Sequence, residues 1–140
     1  MNRALLFFHF MGLALGFSVP FSNIMLAKLI AAASPNEKPV LGRAAFAMAR
    51  LGDIGLPLLW ITGLTMVFTK YDGFASLPAT FHYKLGAVLL LTISVGIIHM
   101  NKRKAMSGDA AALARIQMLG KINLLAALTA VIFAIITFET

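Results

Sequence analysis

The chain has 140 residues, 60% of them hydrophobic and 12% charged, with a mean hydropathy of +0.89 and no cysteine. A soluble domain is about one half apolar and one quarter charged, so this composition selects a membrane protein; the missing cysteines exclude disulfides, thiolate metal sites and c-type haem attachment. The net charge of +7 does not indicate nucleic acid, because the basic residues flank apolar segments instead of forming one solvated face, and anionic lipid headgroups are the simpler partner.

Uncharged stretches run from Ala4 to Ala27, Ile54 to Thr69, Leu85 to Asn101 and Ile122 to Phe138. Each is near the ~20 residues that cross a ~30 Å hydrocarbon core. We therefore expect an all-α membrane protein: an antiparallel up-down bundle of four transmembrane helices. It is expected to form a single domain over residues 1–140, with spans near 4–27, 50–69, 81–101 and 115–138.

Helix 1 is predicted from about Asn2 to Ala33, with Pro20 kinking it and Pro35 and Pro39 ending it. Arg3 and a later "AAAS" fit a signal-peptide template loosely, but we read the segment as a retained helix. Gly12 and Gly16 form a G-x-x-x-G, which permits close helix approach. In helix 2 the uncharged run Ile54 to Thr69 has 16 residues, or only ~24 Å of helix. Helix 2 must therefore begin earlier, near Gly42, which draws Arg50 and Asp53 toward the membrane as an i, i+3 ion pair. "YDGFASLP" reads as a turn with Ser76 as N-cap and Pro78 at the first helical position. Helix 3 then runs from about Pro78 to Lys104, "SGD" caps the next turn, and helix 4 covers about Asp109 to Glu139.

Lys and Arg concentrate in two of the three connections. Lys28, Lys38, Arg43 and Arg50 flank the first, and Lys102, Arg103, Lys104, Arg115 and Lys121 the third, whereas the middle one has Lys70 and Lys84. The N-terminus offers Arg3 alone and the C-terminus ends acidic at Glu139. The positive-inside rule then places both termini outside the cytoplasm.

That orientation sorts the polar residues by depth. His9, in helix 1, falls in the outer leaflet with His82, Tyr83 and Lys84 of helix 3, and with Trp60 and Thr62 of helix 2 nearby. His99 falls at the inner leaflet, with Asn23, Lys28, Arg50, Asp53, Lys121 and Asn123. Ionisable groups at such depths usually face the protein interior or mark function. Lys84 also fits simple snorkelling to headgroups, and His9 a buried structural hydrogen bond. His82 and Lys84 are ~200° apart around a helix, so they do not face one direction.

Two neutral imidazoles in an apolar four-helix bundle can hold b-type haem, with a cation at the rim for its propionates. Only five acidic residues exist, which argues against Mg²⁺ or di-iron chemistry.

The segments "FFHFMGLALGFSVPF", "RLGDIGLPLLWITGLTMVF" and "FHYKLGAVLLLTISVGIIH" resemble the HemJ family of membrane-embedded protoporphyrinogen IX oxidases, distantly similar to copper-resistance D-type membrane domains. The resemblance spans all four helices. It is carried by "HYKL" at the start of helix 3, the early histidine of helix 1, and Pro57 with Gly63 in helix 2. It implies His9 and Lys84 as the functional pair, a bound haem b, His9 with His82 or His99 as iron ligands, electron transfer to quinone or the respiratory chain, and a bacterial inner membrane. Where the family continues from Leu-Pro to an arginine, this chain has Val19-Pro20-Phe21-Ser22, and the basic character there is confined to Lys28.

The leading expectation is thus a haem-b-binding oxidoreductase that converts protoporphyrinogen IX to protoporphyrin IX, with His9 and Lys84 meeting near the extracytoplasmic face. The rival is a non-catalytic small membrane subunit or assembly factor of a larger respiratory or photosynthetic complex. Its loops are minimal, and homo-oligomerisation is compatible with either.

Overall fold

A computed structural model of the chain describes residues 2–138. The described residues form four helices, α1 (Arg3–Ala32), α2 (Lys38–Lys70), α3 (Ala79–Met106) and α4 (Ala110–Phe138), and one 3-10 turn, Phe74–Ser76. All four are long and apolar enough to cross a membrane. The all-α, four-span class expected from composition is what the chain adopts, and the protein is a multi-pass membrane protein. The chain divides into two compact units, residues 1–76 and 77–140, each a helical hairpin.

The first hairpin is built on glycine. A Cβ at Gly55 would stand 2.8 Å from Gly12 O, 2.9 Å from Gly16 N and 3.0 Å from Leu15 Cβ. A Cβ at Gly12 would in turn meet Gly55 O and Leu59 Cγ at 3.0 Å. The backbones of α1 and α2 touch here, as a small-residue motif allows in lipid, where burying leucine against leucine gains nothing over leucine against acyl chain. Val19 lies against Gly52 and His9 against Gly63. The α2 number falls as the α1 number rises, so the pair is antiparallel. α1 runs unbroken through Pro20, whose ring is buried.

α2 begins four residues earlier than expected, at Lys38. Pro39 does not end a helix; it sits in the first turn of one, where its missing N–H costs nothing and its fixed φ suits the helix. The preceding turn is closed locally: Ser34 N–H donates to Glu37 Oε2 at 3.1 Å, and Glu37 N–H returns to Ser34 O at 3.0 Å.

The second hairpin is stitched at both ends. Thr80 Oγ1 and Thr137 Oγ1 share a hydrogen bond of 2.7 Å, and Arg115 Nη1 donates to Asn101 Oδ1 at 3.1 Å. Among the buried and half-buried residues of this hairpin, one stripe on each helix follows a seven-residue repeat. Just before and on α3 these are Leu77, Thr80, Lys84, Ala87, Leu91, Ser94, Ile98 and Asn101; on α4, Ala112, Ile116, Leu119, Asn123, Ala126, Ala130, Phe133 and Thr137. All sixteen are buried or half-buried. Such 3-4 spacing is the seam of a left-handed coiled coil, here written in small and polar residues.

Ser76 is not the N-cap of α3. Its hydroxyl turns back to the carbonyls of Tyr71 and Gly73, closing the loop in which Asp72 and Gly73 take positive φ. Pro78, extended at φ −67° and ψ 164°, caps α3 instead. Asp109 does cap α4, as "SGD" suggested: Oδ1 accepts from Ala111 N at 3.0 Å and Ala112 N at 3.2 Å. The sharp reversal before it uses Gly108 at φ +98°, a conformation that costs glycine nothing. Glu139, expected to end helix 4, lies outside the described residues.

The backbone contact at Gly55 gives a direct test. Overpacking costs about 1–3 kcal/mol, against at most ~1 kcal/mol of helix propensity gained by replacing glycine with alanine. Gly55→Ala should therefore lose about 1–2 kcal/mol in SDS-titrated unfolding from mixed micelles. Gly86→Ala, where an added Cβ meets nothing within 4 Å, should be neutral or slightly stabilising.

Candidate functional site

His9 lies at the end of the second turn of α1. Phe7, Phe8 and Phe10 around it are 50–58% exposed, as lipid-facing aromatics are, while His9 is half-buried and turned toward α2. Its Nδ1 lies 2.8 Å from Thr62 Oγ1. Thr62 is 3% exposed, and its hydroxyl already donates to Leu58 O at 2.6 Å, the usual back-bond of a threonine in an apolar helix. A hydroxyl has one hydrogen, so Thr62 Oγ1 accepts and His9 Nδ1–H donates. In the neutral imidazole that assignment leaves the lone pair on Nε2. Gly63 follows Thr62 on α2, and a Cβ there would lie 3.5 Å from His9 Cε1, so the ring lies along the α2 backbone.

This pairing depends on the glycine contact one turn away. Gly12 is one turn from His9 on α1, and Gly55 is two turns from Thr62 on α2. Backbone approach at the glycines brings a short threonine within reach of an imidazole on the facing helix. The orientation expected from the loops puts Thr62 near His9 in depth but does not pair them. The signal was available, since Thr62 stands one heptad beyond Gly55 and hence on the same helical stripe.

Lys84 occupies an inward position of the α3 seam and is half-buried. Its ammonium sits 5.8 Å from the Phe81 ring centroid and 5.5 Å from that of Phe138. The two rings meet edge to face at 6.4 Å. Cations at such distances over aromatic faces are attracted by the ring quadrupole. The Thr80–Thr137 bond lies one turn away and ties the helix ends that carry these rings. Phe138 lies 54 residues from Lys84 in the chain, so local spacing gives no sign of this partner.

His82 is exposed and makes an edge contact with Phe81, at 6.1 Å between centroids. Lys84 is the more enclosed of the two, as their ~200° separation requires. His99 is exposed at the other end of α3. Seventeen residues separate His82 from His99, about 25 Å of helix, so they do not serve one metal ion together. His9 belongs to the first hairpin and His82, Lys84 and His99 to the second. Among the described residues no group of three or more His, Asp or Glu side chains is positioned to hold a metal. Arg50 is exposed and Asp53 half-buried on α2.

The fold and these side chains define a small polytopic membrane protein with an imidazole of set tautomer and a lysine held between two phenyl rings. No protein-family model matches the chain, nor does any curated protein or solved structure.

Removing the acceptor tests the tautomer. Thr62→Val should abolish the Nδ1–H bond and cost about 0.6 kcal/mol, the average for interhelical hydrogen bonds in membranes, and no more than about 1.7 kcal/mol. In ¹⁵N spectra of histidine-labelled protein, His9 should show a protonated Nδ1 and unprotonated Nε2 in the wild type. That preference should fade in Thr62→Val.

Proposed function

We propose that this protein is a haem-b-binding membrane oxidoreductase that oxidises protoporphyrinogen IX to protoporphyrin IX and delivers the electrons to the quinone pool. The observation that carries this reading is the His9–Thr62 hydrogen bond. Imidazoles that ligate metals almost always donate their other ring N–H to a protein acceptor, which fixes the ring and raises its basicity. His9 has that arrangement inside an apolar span, and so fits an iron-ligand role as its donor set stands. The resemblance of "FFHF" and "HYKL" to the HemJ family adds the tetrapyrrole chemistry.

When bound, haem b would supply a one-electron relay. The chain's own residues do the rest. Thr62 holds the His9 ring against rotation. Lys84 offers a desolvated cation for a carboxylate such as a propionate, and the rings of Phe81 and Phe138 limit its hydration and steer its ammonium. His82 and His99 are the remaining histidines for a second ligand, and His82 shares the Lys84 end of α3. Lys28 remains the basic residue nearest the family's missing arginine. The distribution of Lys and Arg supports both termini on the extracytoplasmic side of a bacterial inner membrane.

Two measurements test the proposal. Purified wild-type protein should show a Soret band; His9→Ala should abolish or shift it, while Lys84→Ala should keep the band but lose activity. Expression in a strain lacking its own protoporphyrinogen oxidase should restore haem synthesis for the wild type and for neither variant. A colourless protein that copurifies at fixed stoichiometry with a respiratory or photosynthetic complex would support a non-catalytic subunit instead.

A further inference from the structure

Two buried polar atoms of the second hairpin have no hydrogen-bond partner among the described residues, Ser94 Oγ and Asn123 Oδ1. Ser94 is 2% exposed. Thr92, Thr129 and Thr137 on the same helices each donate to the carbonyl four residues earlier; Ser94 does not.

The register places the two atoms in one layer. Counting fourteen residues inward along each helix from the Thr80–Thr137 bond arrives at Ser94 and Asn123 together. Counting from the other end, seven residues back from Asn101 and eight forward from Arg115 give the same pair. Both belong to the inward-facing seven-residue repeat. Ser94 is the sixteenth of the 28 residues of α3, and Asn123 the fourteenth of the 29 of α4. The layer therefore lies midway along both spans, at the depth where an unsatisfied polar group is most costly.

We propose that Ser94 and Asn123 bind a water molecule between α3 and α4 at the centre of the span. The Ser94 hydroxyl donates to the water oxygen, and the water donates to Asn123 Oδ1. A buried water needs two to four polar partners, and these two atoms meet the minimum. Immobilising a water costs far less than leaving both groups unpaired in hydrocarbon. The bridge also favours one alignment of the helices, since a one-heptad slip in one direction sets Asn123 against Ala87, which offers the water nothing, and in the other against Asn101, whose amide oxygen already accepts from Arg115. This site is separate from His9 and Lys84, so it stands or falls independently of the haem proposal.

Full-length protein in detergent micelles carries the test. Water-to-protein cross-relaxation should show a long-lived water at the Asn123 side-chain amide in the wild type. The signal should fall at least fivefold in Ser94→Ala and persist in Thr129→Val, an exposed residue whose hydroxyl donates to Leu125 O. In unfolding titrations, Ser94→Ala with Asn123→Leu should be less destabilising than the product of the single effects, by at least threefold in the equilibrium constant. No water signal at wild-type Asn123, a signal undiminished by Ser94→Ala, or single effects that simply multiply would each overturn the proposal. The spectroscopic comparison needs only the small Ser94→Ala change, so it decides the question even where Asn123→Leu does not fold.

Discussion

The backbone approach of α1 and α2 at Gly12 and Gly55 is the contact on which the first hairpin depends. Lipid tails are as apolar as leucine, so spans do not pack by hiding leucine from their solvent; they pack by getting close and by pairing polar groups. Two glycines facing each other remove the side chains that would hold the axes apart. Everything polar in that hairpin is then scaled to the resulting distance. A threonine hydroxyl, one of the shortest polar side chains, suffices to reach an imidazole across the interface. With wider spacing the His9 ring would face acyl chains and lose the partner that sets its tautomer.

The second hairpin meets the same requirement by other means. Among its described residues, a Cβ added at any glycine would meet nothing within 4 Å. Its seam has a sequence of polar layers, Thr80 with Thr137, Ser94 with Asn123, and Asn101 with Arg115, alternating with alanine, leucine and isoleucine. Each layer specifies partners that a purely apolar seam in lipid would leave degenerate, much as a single buried asparagine sets alignment in soluble coiled coils. Lys84 lies on this same seam. It is a seam residue whose neighbours are two phenyl rings, and therefore a cation kept partly dry by the fold as well as by the membrane.

Much of the architecture was legible without coordinates. Four apolar runs, punctuated by basic residues and by connections carrying proline, glycine or both, admit little besides four helices, because backbone groups in hydrocarbon have no other way to pair. Asp109 as a cap and the "YDGFASLP" turn followed from local chemistry. The errors were local too. Ser76 spends its hydroxyl on the loop behind it, so it does not cap α3, and Pro39 starts a helix because a first-turn proline loses no hydrogen bond. The seven-residue repeat of α3 and α4 was present in the sequence but hard to see. In a soluble helix an apolar seam stands out against a polar surface; here both the seam and the lipid-facing side are apolar, and the contrast disappears.

The sequence by itself determined the helix count, the spans, the class of solvent around them, and the short roll of ionisable residues from which any chemistry must come. It set His9 and Lys84 among the candidates because charge and imidazole are conspicuous in hydrocarbon, and the resemblance to the HemJ family suggested them as a pair. Only the tertiary structure decided what those groups touch: Thr62 for the imidazole, Phe81 and Phe138 for the ammonium, and the Ser94–Asn123 layer in the middle of the second hairpin. Composition and periodicity report the solvent each segment prefers. Hydrogen bonds across an interface depend on helix separation and register, and those arise from glycine contacts and polar pairs far apart in the chain.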